Sequence, residues 1–257
     1  MTKSSSSVRK PLRALGRAAL HGFSLVELAI VLLILGILGT SAILMFNAQV
    51  EAKLFADTQR TLDQAREAVM GFALRFGRLP CPATTVSGGV ESPTTGGICT
   101  IDLNSGTPTA PGFVPAVTLG LGPTDPNGFL LDAWGNPIRY AVTRSNGDAF
   151  TTTNMMKTAG ITNLNPDLTV CITRIGATGP TCGAGRDDIK TPVVMFSTGK
   201  SFKAVGTLGP DETENLNSAG LGNKVFVSHE PGGQFDDLVI WLSPNILYNR
   251  LIAAGAI

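Results

Sequence analysis

Residues Phe23 to Phe46 read FSLVELAIVLLILGILGTSAILMF, and Glu27 is the one charged side chain among them. As a helix, the run is about 36 Å long at 1.5 Å per residue, enough to cross the apolar core of a bilayer. Ahead of it, residues 1–22 carry Lys3, Arg9, Lys10, Arg13 and Arg17 and no acid, and close on Ala18-Ala19-Leu20-His21-Gly22. A secretory signal peptide has its small-residue cleavage site after the apolar run. Here the small residue, Gly22, comes before it, so a cut after Gly22 leaves the apolar segment on the mature chain. Basic residues ahead of the span predict a single pass with a cytoplasmic N-terminus and an exported C-terminal body.

An acid inside such a run is informative in itself. Inserting a carboxylate in an apolar helix costs on the order of 3 kcal/mol, so it is expected to have a partner or a function. A cut after Gly22 creates an amine on Phe23, one helical turn from Glu27. Glu27 can neutralise that amine in its own helix, or the amine of a neighbour, which fixes the axial register between subunits. The plainer alternative places Glu27 near the headgroups, reaching water. Gly36 and Gly39, followed by Thr40 and Ser41, permit close helix packing and weaken the helix by about 1 kcal/mol each relative to Ala.

The segment GFSLVE, Gly22 to Glu27, resembles the cleavage and methylation motif of type IV prepilins and type II secretion pseudopilins. The resemblance implies cleavage by the prepilin peptidase, with Gly22 the last leader residue, Phe23 the N-methylated new N-terminus, and Glu27 the assembly acid. It implies an inner-membrane protein with a periplasmic C-terminal domain, later part of an extracellular or periplasmic filament. The partners implied are other pilin or pseudopilin subunits, the inner-membrane assembly machinery and the lipid bilayer. The family's usual proline further along the helix is missing, since none occurs between Phe23 and Leu79.

Beyond the apolar run, Leu54, Thr58, Leu62, Ala65, Val69, Phe72 and Phe76 recur every three or four positions, one stripe on a helix. Lys53, Asp57, Arg60, Asp63, Arg66 and Glu67 fill the other faces, and Gly77 and Pro80 supply the stop. The expected organisation is a leader (1–22), a transmembrane and assembly helix (23–46), an amphipathic half of the same helix (47–76), a loop-rich connection (77–136) and a β-sheet globular domain (137–257). Ser87-Gly88-Gly89, Pro93 to Gly97, Pro108 to Pro111 and Gly122 to Gly128 give the connection its turn chemistry. Period-two stretches predict strands at Pro137–Arg144, Leu168–Arg174, Pro192–Ser197, Lys224–His229 and Leu238–Leu242. With no helical pattern between them, an antiparallel sheet is expected. The fold class is α+β, a long N-terminal helix on an antiparallel sheet, which is also the pilin fold.

The four cysteines, Cys81, Cys99, Cys171 and Cys182, form no CxxC pair, and one histidine, His229, lies beyond the leader. That is poor material for a zinc site. Two disulfides suit a domain outside the cytoplasm; four free buried thiols are the alternative. Of three connectivities the local one, Cys81–Cys99 with Cys171–Cys182, is adopted, and each loop would stabilise by roughly 3 kcal/mol.

From Phe23 onward there are 15 basic and 19 acidic side chains, a net of −4, with no clustered basic face for nucleic acid. Enzyme signatures are lacking. FSTGKS holds a GKS, but the glycine that a phosphate loop needs earlier is Val194. No GxSxG occurs, and His229 alone would have to serve any nucleophile. The pairs Asp187-Asp188 and Asp236-Asp237 are neighbours whose side chains diverge in extended chain.

Two further segments extend the resemblance. DAWGNPIRY, Asp132 to Tyr140, is similar to the DPWGNPY-type segment of major pseudopilins, and FSTGK, Phe196 to Lys200, followed by Asp236 and Asp237, keeps a similar order. Those pseudopilins bind calcium through a C-terminal loop, so Asp236 and Asp237 are candidate hard-oxygen ligands, with an exposed acidic turn as the alternative. Trp134 is expected to anchor packing. The function expected is a non-enzymatic filament subunit, a minor pilin or pseudopilin. A major subunit is one alternative, and a signal-anchored binding or catalytic domain that never polymerises is the other.

Overall fold

The computed structural model describes residues 24–103, 109–174, 181–183, 189–203, 208–216 and 223–257, with side chains throughout except at 39–47 and 203. The chain divides into two units, Met1–Gln49 and Val50–Ile257. Helix α1 is assigned to Leu25–Phe76 and so contributes to both. In the first unit the side chains of residues 24–38 are all exposed.

The second unit is α+β with two sheets. The described residues form the strands β1 (Gly112–Phe113), β2 (Arg139–Val142), β3 (Leu168–Cys171), β4 (Ile189–Thr191), β5 (Val193–Ser197), β6 (Val225–Val227) and β7 (Leu238–Leu242). Short helices α2 (Ala116–Leu119), α3 (Ser145–Asp148), α4 (Met155–Ala159) and α5 (Pro210–Asn215) sit in the connections, and α6 (Pro244–Ala253) follows the last strand. One sheet has the order β1-β2-β5-β7 and the other β4-β3-β6.

Alternation along the strands of the first sheet builds two cores. Tyr140, Val142, Val193, Met195, Ile240 and Leu242 join Leu62, Ala65, Val69, Met70 and Ala73 of α1 and Leu247, Tyr248 and Leu251 of α6. Their neighbours Ala141, Val194 and Phe196 join Leu168, Val170 and Phe226 of the second sheet. The first sheet is therefore covered on both faces, which is why every residue of β5 is buried and its sequence VVMFS shows no polar side. On α1, Thr58, Leu62, Ala65, Val69 and Phe72 of the predicted stripe are buried. Phe76, at its end, is 42% exposed.

Cys81 is bonded to Cys99 and Cys171 to Cys182. Just ahead of the first loop, Arg78 makes a two-pronged ion pair with Glu91 inside it, Nη1 to Oε2 at 2.8 Å and Nη2 to Oε1 at 2.7 Å. The guanidinium also lies 4.9 Å from the Phe72 ring centroid. Gly96, at φ +71°, is required beside it, because a Cβ there would come within 2.6 Å of the guanidinium carbon.

Two expectations are corrected. The single antiparallel sheet is replaced by two, and the second contains a parallel pair, β3 with β6 (Thr169↔Val225, Val170↔Phe226, Cys171↔Val227). Strands with both faces covered carry no sign of which sheet they join, so the sequence pattern could not separate them. The long helix with a membrane half on one antiparallel sheet is therefore not the fold observed. Nor is the single-pass inner-membrane placement supported: among the described residues no helix is long and apolar enough to cross a membrane.

Candidate functional site

In the first unit, Glu27 occupies the first turn of α1, where a carboxylate is favoured by the unpaired amides of a helix start. Ser24 caps that turn, its hydroxyl accepting from the Val26 amide at 3.3 Å and its carbonyl from the Leu28 amide at 3.0 Å. Around Glu27, Leu25, Val26, Leu28, Ile30, Val31, Leu32, Leu33 and Ile34 are each exposed. Gly36 has nothing within 4 Å of where a Cβ would stand. The processing residues Gly22 and Phe23 lie outside the described residues, as do Asp187 and Asp188.

In the second unit, three segments far apart in sequence meet at the loop that follows β5. Asp132 closes a turn by accepting from the Trp134 and Asn136 amides at 2.9 and 2.7 Å, the local habit of Asp before a glycine. Its other oxygen accepts from Ser197 Oγ at 2.6 Å. Asn136 Nδ2 donates to the Gly199 carbonyl at 2.5 Å. Trp134 stands edge-on to Phe55 of α1, ring centroids 4.9 Å apart. Burial pushes the Asp132 carboxyl up, against the hydrogen bonds from Ser197 and the turn amides.

On the other side of the loop, Asp236 accepts from the Lys200 and Ser201 amides at 3.0 and 2.9 Å and from Ser201 Oγ at 2.9 Å. Gly199, at φ +59°, permits this approach; a Cβ there would lie 2.2 Å from Asp236 Oδ1. Glu212 caps its own helix, Oε2 accepting from the Gly209 amide at 2.9 Å, as N3 glutamates do. Its Oε1 accepts from the Asp236 amide and lies 3.2 Å from the same Ser201 hydroxyl. Asp237, buried, accepts from Asn215 Nδ2 at 2.7 Å.

One oxygen each of Glu212, Asp236 and Asp237 lies within 4.8 Å of the others, and none of the three makes an ion pair among the described residues. The Ser201 hydroxyl has one proton for two carboxylates. Burial raises the Asp237 carboxyl well above its usual range, with the Glu212 and Asp236 charges adding to it. Burial likewise raises Glu212, helped by Asp236. The chemistry of such a cluster suits shared protons or a hard cation. Asp236 and Asp237, expected to diverge, face different hydrogen-bond partners, yet one oxygen of each converges on the other and on Glu212. Glu212 was not among the residues singled out from sequence. Gly209-Pro210-Asp211-Glu212 signals a helix start, but not what the helix touches.

These positions set a pH dependence. Because the folded pKa values of Asp237 and Glu212 lie above their unfolded ones, the folded chain binds more protons than the unfolded chain between the two, and stability falls as pH rises through that window. The expected result is a melting temperature that drops as pH rises above the unfolded carboxylate range, about 4, without divalent ions. Millimolar calcium should recover the loss, and Asp237→Asn should remove the calcium response and shrink the pH-dependent drop to the part that Glu212 contributes. A calcium-independent melting temperature at pH 8 rules out calcium there.

The side chains of Lys200 and His229 find partners other than the three carboxylates. Lys200 of FSTGKS is exposed, 3.5 Å from Glu51. His229 stacks on Phe235 with centroids 3.8 Å apart, its Nε2 3.5 Å from Asp211 Oδ2. Asn136 Oδ1 and Thr198 Oγ1 are buried without a hydrogen-bond partner among the described residues. No family model matches the chain, and no match was found among curated proteins or solved structures.

Proposed function

We propose that this chain is a structural subunit, a minor pilin or pseudopilin, of a type IV pilus or type II secretion-like filament. The observation that carries the reading is the start of α1: apolar side chains exposed on every face from Leu25 to Leu38, with Glu27 the one carboxylate. An unbroken apolar surface on a helix finds partners in the same surface of other copies, since apolar area removed from water contributes about 25 cal/mol per Å². The motif GFSLVE supports processing by the prepilin peptidase after Gly22. Glu27 then sits a turn from the Phe23 amine and pairs with it, within one subunit or between neighbours.

The test is N-terminal sequencing of tagged chain from sheared filaments. Mature chain beginning at N-methyl-Phe23 is expected there. Glu27→Val is expected to be cut normally and to be lost from filaments by at least tenfold. Native chain that begins at Met1 and never enters the sheared fraction sinks the proposal and leaves the non-polymerising domain in its place.

A further inference from the structure

The four-stranded sheet ends differently on its two sides. At the β1 edge, Ala83 exchanges both backbone hydrogen bonds with Phe113 at 2.9 Å, so that edge is closed. At the other edge stands β7, Leu238-Val239-Ile240-Trp241-Leu242, which among the described residues pairs with β5 alone. No other backbone hydrogen bond reaches it among the described residues. In an antiparallel strand alternate residues turn their N–H and C=O outward. Natural edges are blunted by charge, proline or a bulge, and β7 contains neither a charged residue nor a proline.

A groove of about 530 Å³ runs beside this edge, lined by Val239 to Ser243, by Arg66, Glu67 and Met70 of α1, and by Ile246 and Arg250 of α6. The lining holds two guanidinium groups and one carboxylate. Arg66 makes one ion contact, with Asp63 at 3.0 Å, and Arg250 one, with Glu67 at 2.7 Å. A guanidinium offers five N–H donors, so both retain donors for a further carboxylate.

We propose that β7 and this groove receive an extended peptide strand bearing a carboxylate, contributed by another polypeptide. The strand completes the ladder through its backbone, its apolar side chains rest on Trp241 and Ile246, and the carboxylate is taken by Arg250 with Arg66. Main-chain bonds give such additions their affinity, and side-chain pockets give their selectivity.

The intact chain carrying Trp134→Phe, which leaves Trp241 as its one tryptophan, is titrated with the peptide Val-Thr-Val-Thr-Val in three forms. One has a free C-terminal carboxylate, one is amidated, and one is amidated after an added Glu. Trp241 fluorescence reads binding, and hydrogen exchange reads the β7 amides. At least one carboxylate form is expected to bind about tenfold tighter than the plain amide and to slow exchange in β7. Which of the two does so assigns the carboxylate to a chain end or a side chain. Arg250→Gln is expected to abolish the preference. Equal binding of all three, no binding, or binding without β7 protection overturns the proposal. So does a free chain whose β7 amides are already protected in a dimer, because a second copy then holds the edge. None of these results bears on filament incorporation.

Discussion

Replacing Arg78 by Met is expected to cost about 3–5 kcal/mol of folding stability, the range for removing one partner of a buried ion pair. The two side chains are 7% and 3% exposed, so Glu91 would be left charged and dry. Its Oε2 also accepts from the Cys81 amide at 3.0 Å, which ties the pair to the cysteine that closes the loop. Arg78→Met with Glu91→Gln is expected to lose less than half as much, since the amide oxygen still serves Cys81 and no lone charge remains. Urea titration with an unchanged m-value reads both variants. A loss under about 1 kcal/mol for the single variant would falsify the clamp, because that is the range of a solvated pair.

Phe196→Ala is expected to cost a similar 3–5 kcal/mol, the usual figure for emptying a phenylalanine site in a core. Phe196 is fully buried between the two sheets, its ring centroid 6.0 Å from that of Phe226. Phe76→Ala, at the exposed end of the α1 stripe, should cost under about 1 kcal/mol by the same logic of area removed from water. Denaturation midpoints of the two variants compare the sheet-to-sheet core with the helix end. Equal losses would mean that Phe196 does not seal a second core.

Much of the second unit was legible because its signals are local. The stripe from Thr58 to Phe72 is buried as its spacing implies, since helical period alone decides which side of α1 faces inward. Strands β2, β3, β5, β6 and β7 each fall within a stretch rich in β-branched and aromatic residues. The short partners β1 and β4 were missed: Gly112–Phe113 sits in turn-rich sequence, and Ile189–Thr191 is too short for period two to show. Helix α6 was not expected, although Ser243-Pro244 and the spacing of Leu247 and Leu251 are its signals; at ten residues it offers little more than two turns of period directly after a strand.

The site divides in the same way. The turn at Asp132–Asn136, the FSTGK loop and the pair Asp236-Asp237 each stood out as separate segments. Their meeting around Gly199, and Glu212 among them, depends on contacts between residues 63, 65 and 24 positions apart in sequence, which no local period encodes. By itself the sequence determined the apolar helical start with its lone acid, the amphipathic face of α1 and most of the strands, because each follows from side-chain chemistry repeating along the chain. Tertiary structure alone decided that there are two sheets, that β3 and β6 run parallel, that β7 is left as a bare edge, and that three carboxyl groups share one place. Those outcomes are set by which buried surfaces meet, and burial on both faces erases the alternation that would have announced them.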